Sequence, residues 1–174
     1  MSNQVFLGEE ISLAQMLQVR EERVRLQNEL LNKYPHAALL VATMNIPGPI
    51  KTSLLLEQVF DQLMTVIKAE VVIEETVERK LKTGPEFYAV SPLSAVDLKQ
   101  KMVTLEENHA CGRLFDLDIH YWQTGNQSIS RSDLGLAARR CLVCQNEAKE
   151  CGRARRHSVQ EMQERICELI LEKE

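Results

Sequence analysis

Aromatic residues make up only 5% of the 174-residue chain, too few for the stacking platforms on which proteins hold single-stranded bases. A basic surplus is missing as well. The 21 Lys and Arg face 25 Asp and Glu, a formal net charge of −4, whereas a dedicated nucleic-acid binder carries a strongly basic face. No run approaches the ~18 apolar residues of a membrane span, and the start Met1-Ser2-Asn3-Gln4 has neither the basic nor the apolar region of a signal peptide. A cytoplasmic protein with no nucleic-acid and no membrane partner is expected. Five cysteines are an odd number, and three of them crowd into Cys141, Cys144 and Cys151, unlike a secreted disulfide framework. There is no internal repeat and no low-complexity stretch, and the length suits one domain over 1–174.

What is present reads first as alternating elements. Ser12-Leu13-Ala14-Gln15 has the form of a capping box and opens a helix over 12–33, with Leu13, Leu17, Val24 and Leu31 on one stripe. Ala37 to Ile46 is a β-prone apolar run that stops at Pro47-Gly48-Pro49. Thr52 or Ser53 caps a second helix carrying Leu55, Val59, Leu63 and Ile67. Val71–Val77 and Phe87–Ser91 flank the turn-forming Lys82-Thr83-Gly84-Pro85 as a hairpin, and Ser94 caps a third helix with Val96, Met102, Val103 and Leu105 on its apolar side. Strand, helix, strand, strand, helix, strand is the element order of a ferredoxin-like split βαβ unit, here with a core over 37–121. The fold class expected is α+β. An N-terminal helix, a C-terminal hairpin with a strand over Ser128–Arg131, and a Cys-rich turn and helix over 139–172 are added to that core.

The most informative strand is the last of the core. From Phe115 to Tyr121 apolar and polar residues alternate strictly, which aims Asp116 and Asp118 to one face, ~7 Å apart along the strand. Two parallel carboxylates repel unless a cation sits between them, and a hard divalent ion such as Mg²⁺ held with substrate phosphates is the usual reason for such a pair. The alternative is an ordinary solvated face.

Beyond this strand the charge is uneven. Residues 139–157 hold six Arg or Lys and two Glu, a net of +4 that leaves −8 for the rest. A basic patch in an acidic chain points to a localised anion such as a polyphosphate or an acidic partner, or else to a solvated turn. Within it, Cys141, Cys144, Cys151 and His157 form a C-x2-C-x6-C-x5-H pattern, enough ligands for a closed tetrahedral Zn²⁺ site. Reduced buried thiols are the competing reading, and His157 could instead contact phosphate.

Four blocks, Pro47-Gly48-Pro49-Ile50-Lys51, Thr83-Gly84-Pro85-Glu86, Glu107 to Asp118 and Arg139-Arg140-Cys141-Leu142-Val143-Cys144, resemble the signature segments of the holo-acyl-carrier-protein synthases of citrate lyase, the apo-citrate lyase phosphoribosyl-dephospho-coenzyme A transferases. The resemblance runs from about Ser12 to the C-terminal helix. Ala110-Cys111 and Ala137-Ala138 depart from it at positions where the family often has proline.

That resemblance implies a nucleotidyltransferase. A serine hydroxyl of the apo acyl-carrier subunit attacks the α-phosphorus of triphosphoribosyl-dephospho-coenzyme A, and diphosphate leaves. Asp116 and Asp118 would hold Mg²⁺, Lys51 and Arg113 would neutralise developing charge, and His109 or Asp118 would take the serine proton. Substrate contacts are expected from Gly48, Pro49, Gly84, Glu86 and Gly112, with Gly48 and Gly112 letting phosphate approach the backbone. Further contacts are expected from Arg131, Arg139, Arg140, Arg153, Arg155 and His157. Other readings remain open, namely a transferase for another carrier, of the malonate decarboxylase type, and a non-catalytic zinc-stabilised adaptor. A 4-1-3-2 strand order would bring Lys51 within ~15 Å of Asp116 at one rim, a few strand spacings of ~4.8 Å.

Overall fold

A computed structural model of the chain describes residues 4–171; residue 172, the end of the expected C-terminal segment, lies outside them. Ser12 opens α1 (Leu13–Lys33) with a complete capping box, its hydroxyl accepting from the Gln15 N–H while the Gln15 side chain accepts from the Ser12 N–H. Of the expected stripe Leu31 alone is buried. Leu13, Leu17 and Val24 are exposed, and Val19, Gln27, Leu30 and Leu31 are buried. In the N-terminal half of α1 it is Met16, Arg20 and Arg23 that turn inward, lining a polar cavity, and Leu13, Leu17 and Val24 fall on the flank beside them that is left to water.

The remaining elements are β1 (Ala38–Met44), α2 (Leu54–Glu70), β2 (Glu75–Arg79), β3 (Glu86–Ser91), α3 (Ala95–Asn108), β4 (Phe115–Trp122), β5 (Asn126–Ile129), α4 (Ala148–Ala154) and α5 (Val159–Leu171). Ser53 is the cap that α2 uses. Two strands differ from expectation. β2 begins at Glu75, because Val71 closes α2 by donating its N–H to Ile67 O. β5 ends at Ile129, because Arg131 turns into a short 3-10 segment at Ser132–Leu134.

The strands form one sheet in the order β2-β3-β1-β4-β5, every neighbouring pair antiparallel. The four expected strands thus stand as β4-β1-β3-β2, with β5 added outside β4. Alternation divides the apolar residues between two faces. Leu40, Ala42, Phe87, Ala89, Leu117 and Ile119 pack with α2, α3 and α5 in the larger core, each buried aliphatic side chain contributing roughly 1.5–3 kcal/mol. Leu39, Val41, Tyr88 and Val90 pack with Leu30 and Leu31 of α1 on the other face. Register places Asp116 opposite Thr43 and Asp118 opposite Val41. Both carboxylates therefore lie on the α1 face.

β5 pairs with β4 only from Ile119 onward. Where it stops, side chains replace the missing strand: the Leu117 N–H donates to Glu106 Oε1 (3.2 Å) and Leu117 O accepts from Lys99 Nζ (3.0 Å). An open sheet edge is satisfied this way without a partner chain, and a cleft forms beside it. No helix among the described residues is long and apolar enough to cross a membrane.

Candidate active site

The cleft at the short end of β5 has a volume of about 420 Å³ and is lined by Lys99, Glu106, Asp116, Asp118, His120, Arg131 and Arg139 among others. A second cavity of about 160 Å³ lies toward α1, lined by Arg20, Arg23, Lys51, Gly84, Glu86 and Asp116 among others. Asp116 belongs to both. Three segments far apart in sequence thus meet around one carboxylate, as the strand order requires. The end of β1 is fixed against the start of β4 by the Asn45 N–H, which donates to Leu114 O (2.8 Å).

The two aspartates differ in their surroundings. Asp116 Oδ1 accepts from Arg139 Nη1 at 2.7 Å, and Nη2 of the same guanidinium donates to the carbonyls of Arg113 (2.8 Å) and Phe115 (2.5 Å). Arg139 is thereby locked over the start of β4. Asp118 has no hydrogen-bond or ion-pair partner among the described residues. Its tip reaches water, but the enclosing protein, and next the charge of Asp116, push its carboxyl above the ordinary range. A cation between the two would relieve that repulsion.

Lys51 donates Nζ to Ile46 O at 2.7 Å, and burial together with Arg20 holds its ammonium below the usual lysine range. Arg113 carries an enclosed Nε with no hydrogen-bond partner. Burial, and then the neighbouring Arg139, bring its pKa down. Lys51 thus shares the narrow cavity with the Asp116 carboxylate without an acidic partner of its own among the described residues, as a phosphate site requires, whereas Arg113 lines neither cavity.

Several expected residues turn out to be engaged elsewhere. Glu86 is 2% exposed, its Oε1 accepting from Arg23 and its Oε2 from Arg79 and the Tyr88 hydroxyl. Its carboxylate is saturated, so it orders the arginines at the narrow cavity's wall. The space above Gly48 (φ +87) is taken by Gln163 and Val159 of α5, and that above Gly112 by the Glu106 backbone. In the Cβ direction, then, these glycines let the chain pack closely on itself. Pro49 gives its carbonyl to the Ile11 N–H. His109 caps α3, its Nδ1 accepting from the Cys111 N–H, and lines neither cavity. Arg131 reaches the wide cleft but is paired with Glu106 (2.6 Å) and Glu107 (2.9 Å). Arg140, Arg153 and Arg155 are exposed and line neither cavity.

Arg20, Lys99 and Glu106 were not signalled by any local pattern. They enter through long-range packing of α1 and α3 on the sheet. The Cys/His pattern, by contrast, closes in space: the ligand atoms of Cys141, Cys144, Cys151 and His157 all lie within 4.8 Å of one another, a group that could hold a metal ion such as zinc. Hydrogen bonds from the Asn146 N–H and from His157 bring the Cys144 thiol down to about 6, and burial lifts the Cys151 thiol to about 11.

An α+β sheet whose central strands converge on a carboxylate between two polar cavities defines a candidate transferase of phosphate-bearing groups. The particular family follows from comparison. Residues 11–173 match the family model of apo-citrate lyase phosphoribosyl-dephospho-CoA transferases, and the chain belongs to that family. It is similar to the probable apo-citrate lyase phosphoribosyl-dephospho-CoA transferase of Streptococcus pyogenes serotype M18, 45% identical over 170 residues, 95% of this chain and 88% of that protein. The protein of the same description from Vibrio cholerae serotype O1 is 38% identical over 169 residues, 91% of each. Protein CitXG of Leuconostoc mesenteroides subsp. cremoris is 37% identical over 167 residues, which are 94% of this chain and 36% of that protein.

Proposed function

We propose that the chain transfers the phosphoribosyl-dephospho-coenzyme A group from triphosphoribosyl-dephospho-coenzyme A to a serine of the apo acyl-carrier subunit of citrate lyase. The observation that carries this reading is Asp116, shared by the two cavities with Lys51 on one side and Asp118 on the other. The serine oxygen attacks the α-phosphorus, the bond from that phosphorus to the diphosphate breaks, and a phosphodiester to the carrier remains. Transfer of this kind depends on positioning and on neutralising charge at the phosphoryl oxygens.

Each residue then has a role. Lys51 and Arg20, on the narrow side, bind the triphosphate and stabilise the departing diphosphate. Arg113 and Arg139 neutralise charge at the α-phosphate, with Glu86 ordering Arg23 behind them. Asp118, harder to ionise than an ordinary carboxylate, accepts the serine proton or shares the cation. Asp116 and Asp118 fit Mg²⁺, since both face one cleft, one is unpartnered and their mutual repulsion calls for a cation. When bound, that ion supplies charge neutralisation between substrate phosphates.

The core reads as a ferredoxin-like split βαβ unit, on the strand order and on α2 and α3 sharing one face. The whole of 1–174 acts as one transferase domain. A cytoplasmic location accords with an odd count of five cysteines. Incubating the protein with apo-carrier, the triphosphoribosyl precursor and Mg²⁺ and weighing the carrier tests the activity. A mass gain equal to the prosthetic group is expected; an unchanged carrier would refute the reading.

A further inference from the structure

Outside the two cavities, the segment from Arg139 to His157 is built around its sulfur atoms. A short antiparallel turn is closed by the Cys141 N–H donating to Asn146 O (2.7 Å) and the Ala148 N–H donating to Arg139 O (2.8 Å), with an Arg140–Glu147 bridge between. This holds Cys141 and Cys144 at one end. α4 then presents Cys151 from its first turns. The chain reverses at Arg155, the one non-glycine residue with positive φ (+46°) among the described residues, a conformation costing on the order of 1 kcal/mol. That reversal delivers His157 to the thiols. Its Nε2 lies 3.3 Å from Cys144 Sγ, and Cys144 Sγ lies 3.5 Å from Cys151 Sγ.

We infer that Cys141, Cys144, Cys151 and His157 form a closed, four-ligand Zn²⁺ site whose purpose is to hold Arg139 against Asp116. The geometry matches the ion. With Zn–S of ~2.3 Å and Zn–N of ~2.0 Å, a tetrahedron has S···S edges of ~3.8 Å and S···N edges of ~3.5 Å. The 3.3 and 3.5 Å separations fall within a few tenths of those values, and the widest, at 4.8 Å or less, closes with a shift of about 1 Å. Each thiol releases its proton on binding, so three thiolates and a neutral imidazole around Zn²⁺ carry one net negative charge. That charge sits in the most basic segment of the chain, beside Arg140, Arg153 and Arg156. All four ligands come from the protein, leaving no open position for substrate, which makes the site structural.

The link to the cleft is direct. Arg139 O accepts the Ala148 N–H that opens α4, and its guanidinium spans Asp116 Oδ1 and two carbonyls of β4. The segment between the cleft and the C-terminal helix has few buried apolar side chains of its own, Cys151 being its one fully buried residue. A metal supplies the folding energy that such a small unit lacks.

The test reads metal and not turnover, so it is independent of the transferase reading. Untagged wild-type protein is prepared in chelator-free buffer, and its zinc is counted by elemental mass spectrometry and by native mass. About one zinc per chain is expected, with Cys144→Ser and His157→Ala falling to near zero and Cys167→Ala, outside the cluster, keeping it. Because a ligand variant may fail to fold, the wild-type metal is also exchanged for Co²⁺, expected to give the visible absorption of a tetrahedral thiolate site. Wild-type protein without zinc and without a Co²⁺ thiolate spectrum, or a Cys144–Cys151 disulfide in freshly prepared wild-type protein, would overturn the inference.

Discussion

Removing the Glu86 carboxylate should unlatch α1 from the sheet. Glu86 sits on β3 with 2% exposure and receives four donors from three elements: Arg23 Nε (3.0 Å) and Nη2 (2.8 Å) from α1, Arg79 Nη1 (3.1 Å) from β2, and the Tyr88 hydroxyl (2.7 Å). Breaking a buried ion pair by deleting one partner typically costs ~3–5 kcal/mol, because the other charge is left uncompensated. Two facts set the lower end of that range here. The arginine side chains are 24% and 21% exposed and can hydrate in part, and Arg79 keeps Glu22 at 2.6 Å. Glu86→Ala should therefore lose about 3 kcal/mol, or ~6–12 °C in Tm for a chain of this size. Glu86→Gln, which keeps the shape but not the charge, should lose ~2 kcal/mol, and Tyr88→Phe about 1 kcal/mol. Urea unfolding followed by circular dichroism measures all three. A loss below 1 kcal/mol for Glu86→Ala would refute the claim that this network holds α1 over the narrow cavity.

Other perturbations follow from the site itself. Asp118 binds its proton more tightly folded than unfolded, so the stability it contributes is full below the unfolded value of 3.8 and is lost as pH rises through the folded value; Asp118→Asn should raise Tm at pH 7 in metal-free buffer by only ~1–2 °C after solvent screening, and a drop would show that the two carboxylates do not repel. Lys51→Ala should cut single-turnover transfer on the order of 10²-fold with the Tm preserved, and an unchanged rate would remove Lys51 from the phosphate site. Arg153→Ala combined with Arg155→Gly, chosen because glycine keeps the left-handed turn at 155, should slow association with an acidic carrier several-fold at low salt and little above 0.5 M NaCl. Stopped-flow binding measures it, and equal rates at low salt would reduce these arginines to a solvated turn.

What the sequence revealed was whatever physics writes locally. The capping box at Ser12 and Gln15, the alternation of β4 and the Cys/His spacing each lie within a short stretch of chain, the longest running from Cys141 to His157, and in each the residues come together as their spacing suggests. The meeting of 47–51 with 113–118 was legible because element order restricts the strand order to few choices. The packing face of α1 was not, since Leu13-Leu17-Val24 and Val19-Leu26-Leu30 both have helical spacing, and only the sheet beneath decides between them. Glu86 read as a substrate contact because its partners Arg23 and Arg79 are 63 and 7 residues away. Gly48 and Gly112 read as points of close backbone approach, and the Gln163 and Glu106 atoms that face them come from helices whose docking no local pattern encodes.

In the proposed reaction the Asp116 carboxylate between the two cavities carries the cation-dependent step. The most direct test of that role is the single-turnover rate of prosthetic-group transfer to the apo-carrier, followed by carrier mass, for wild type and Asp116→Asn across a Mg²⁺ titration. Losing one such electrostatic element costs ~3–4 kcal/mol, so the variant should transfer at a rate ~10²–10³ lower at saturating Mg²⁺ with its Tm retained. Transfer by Asp116→Asn at near wild-type rate, with the same Mg²⁺ dependence, would contradict it.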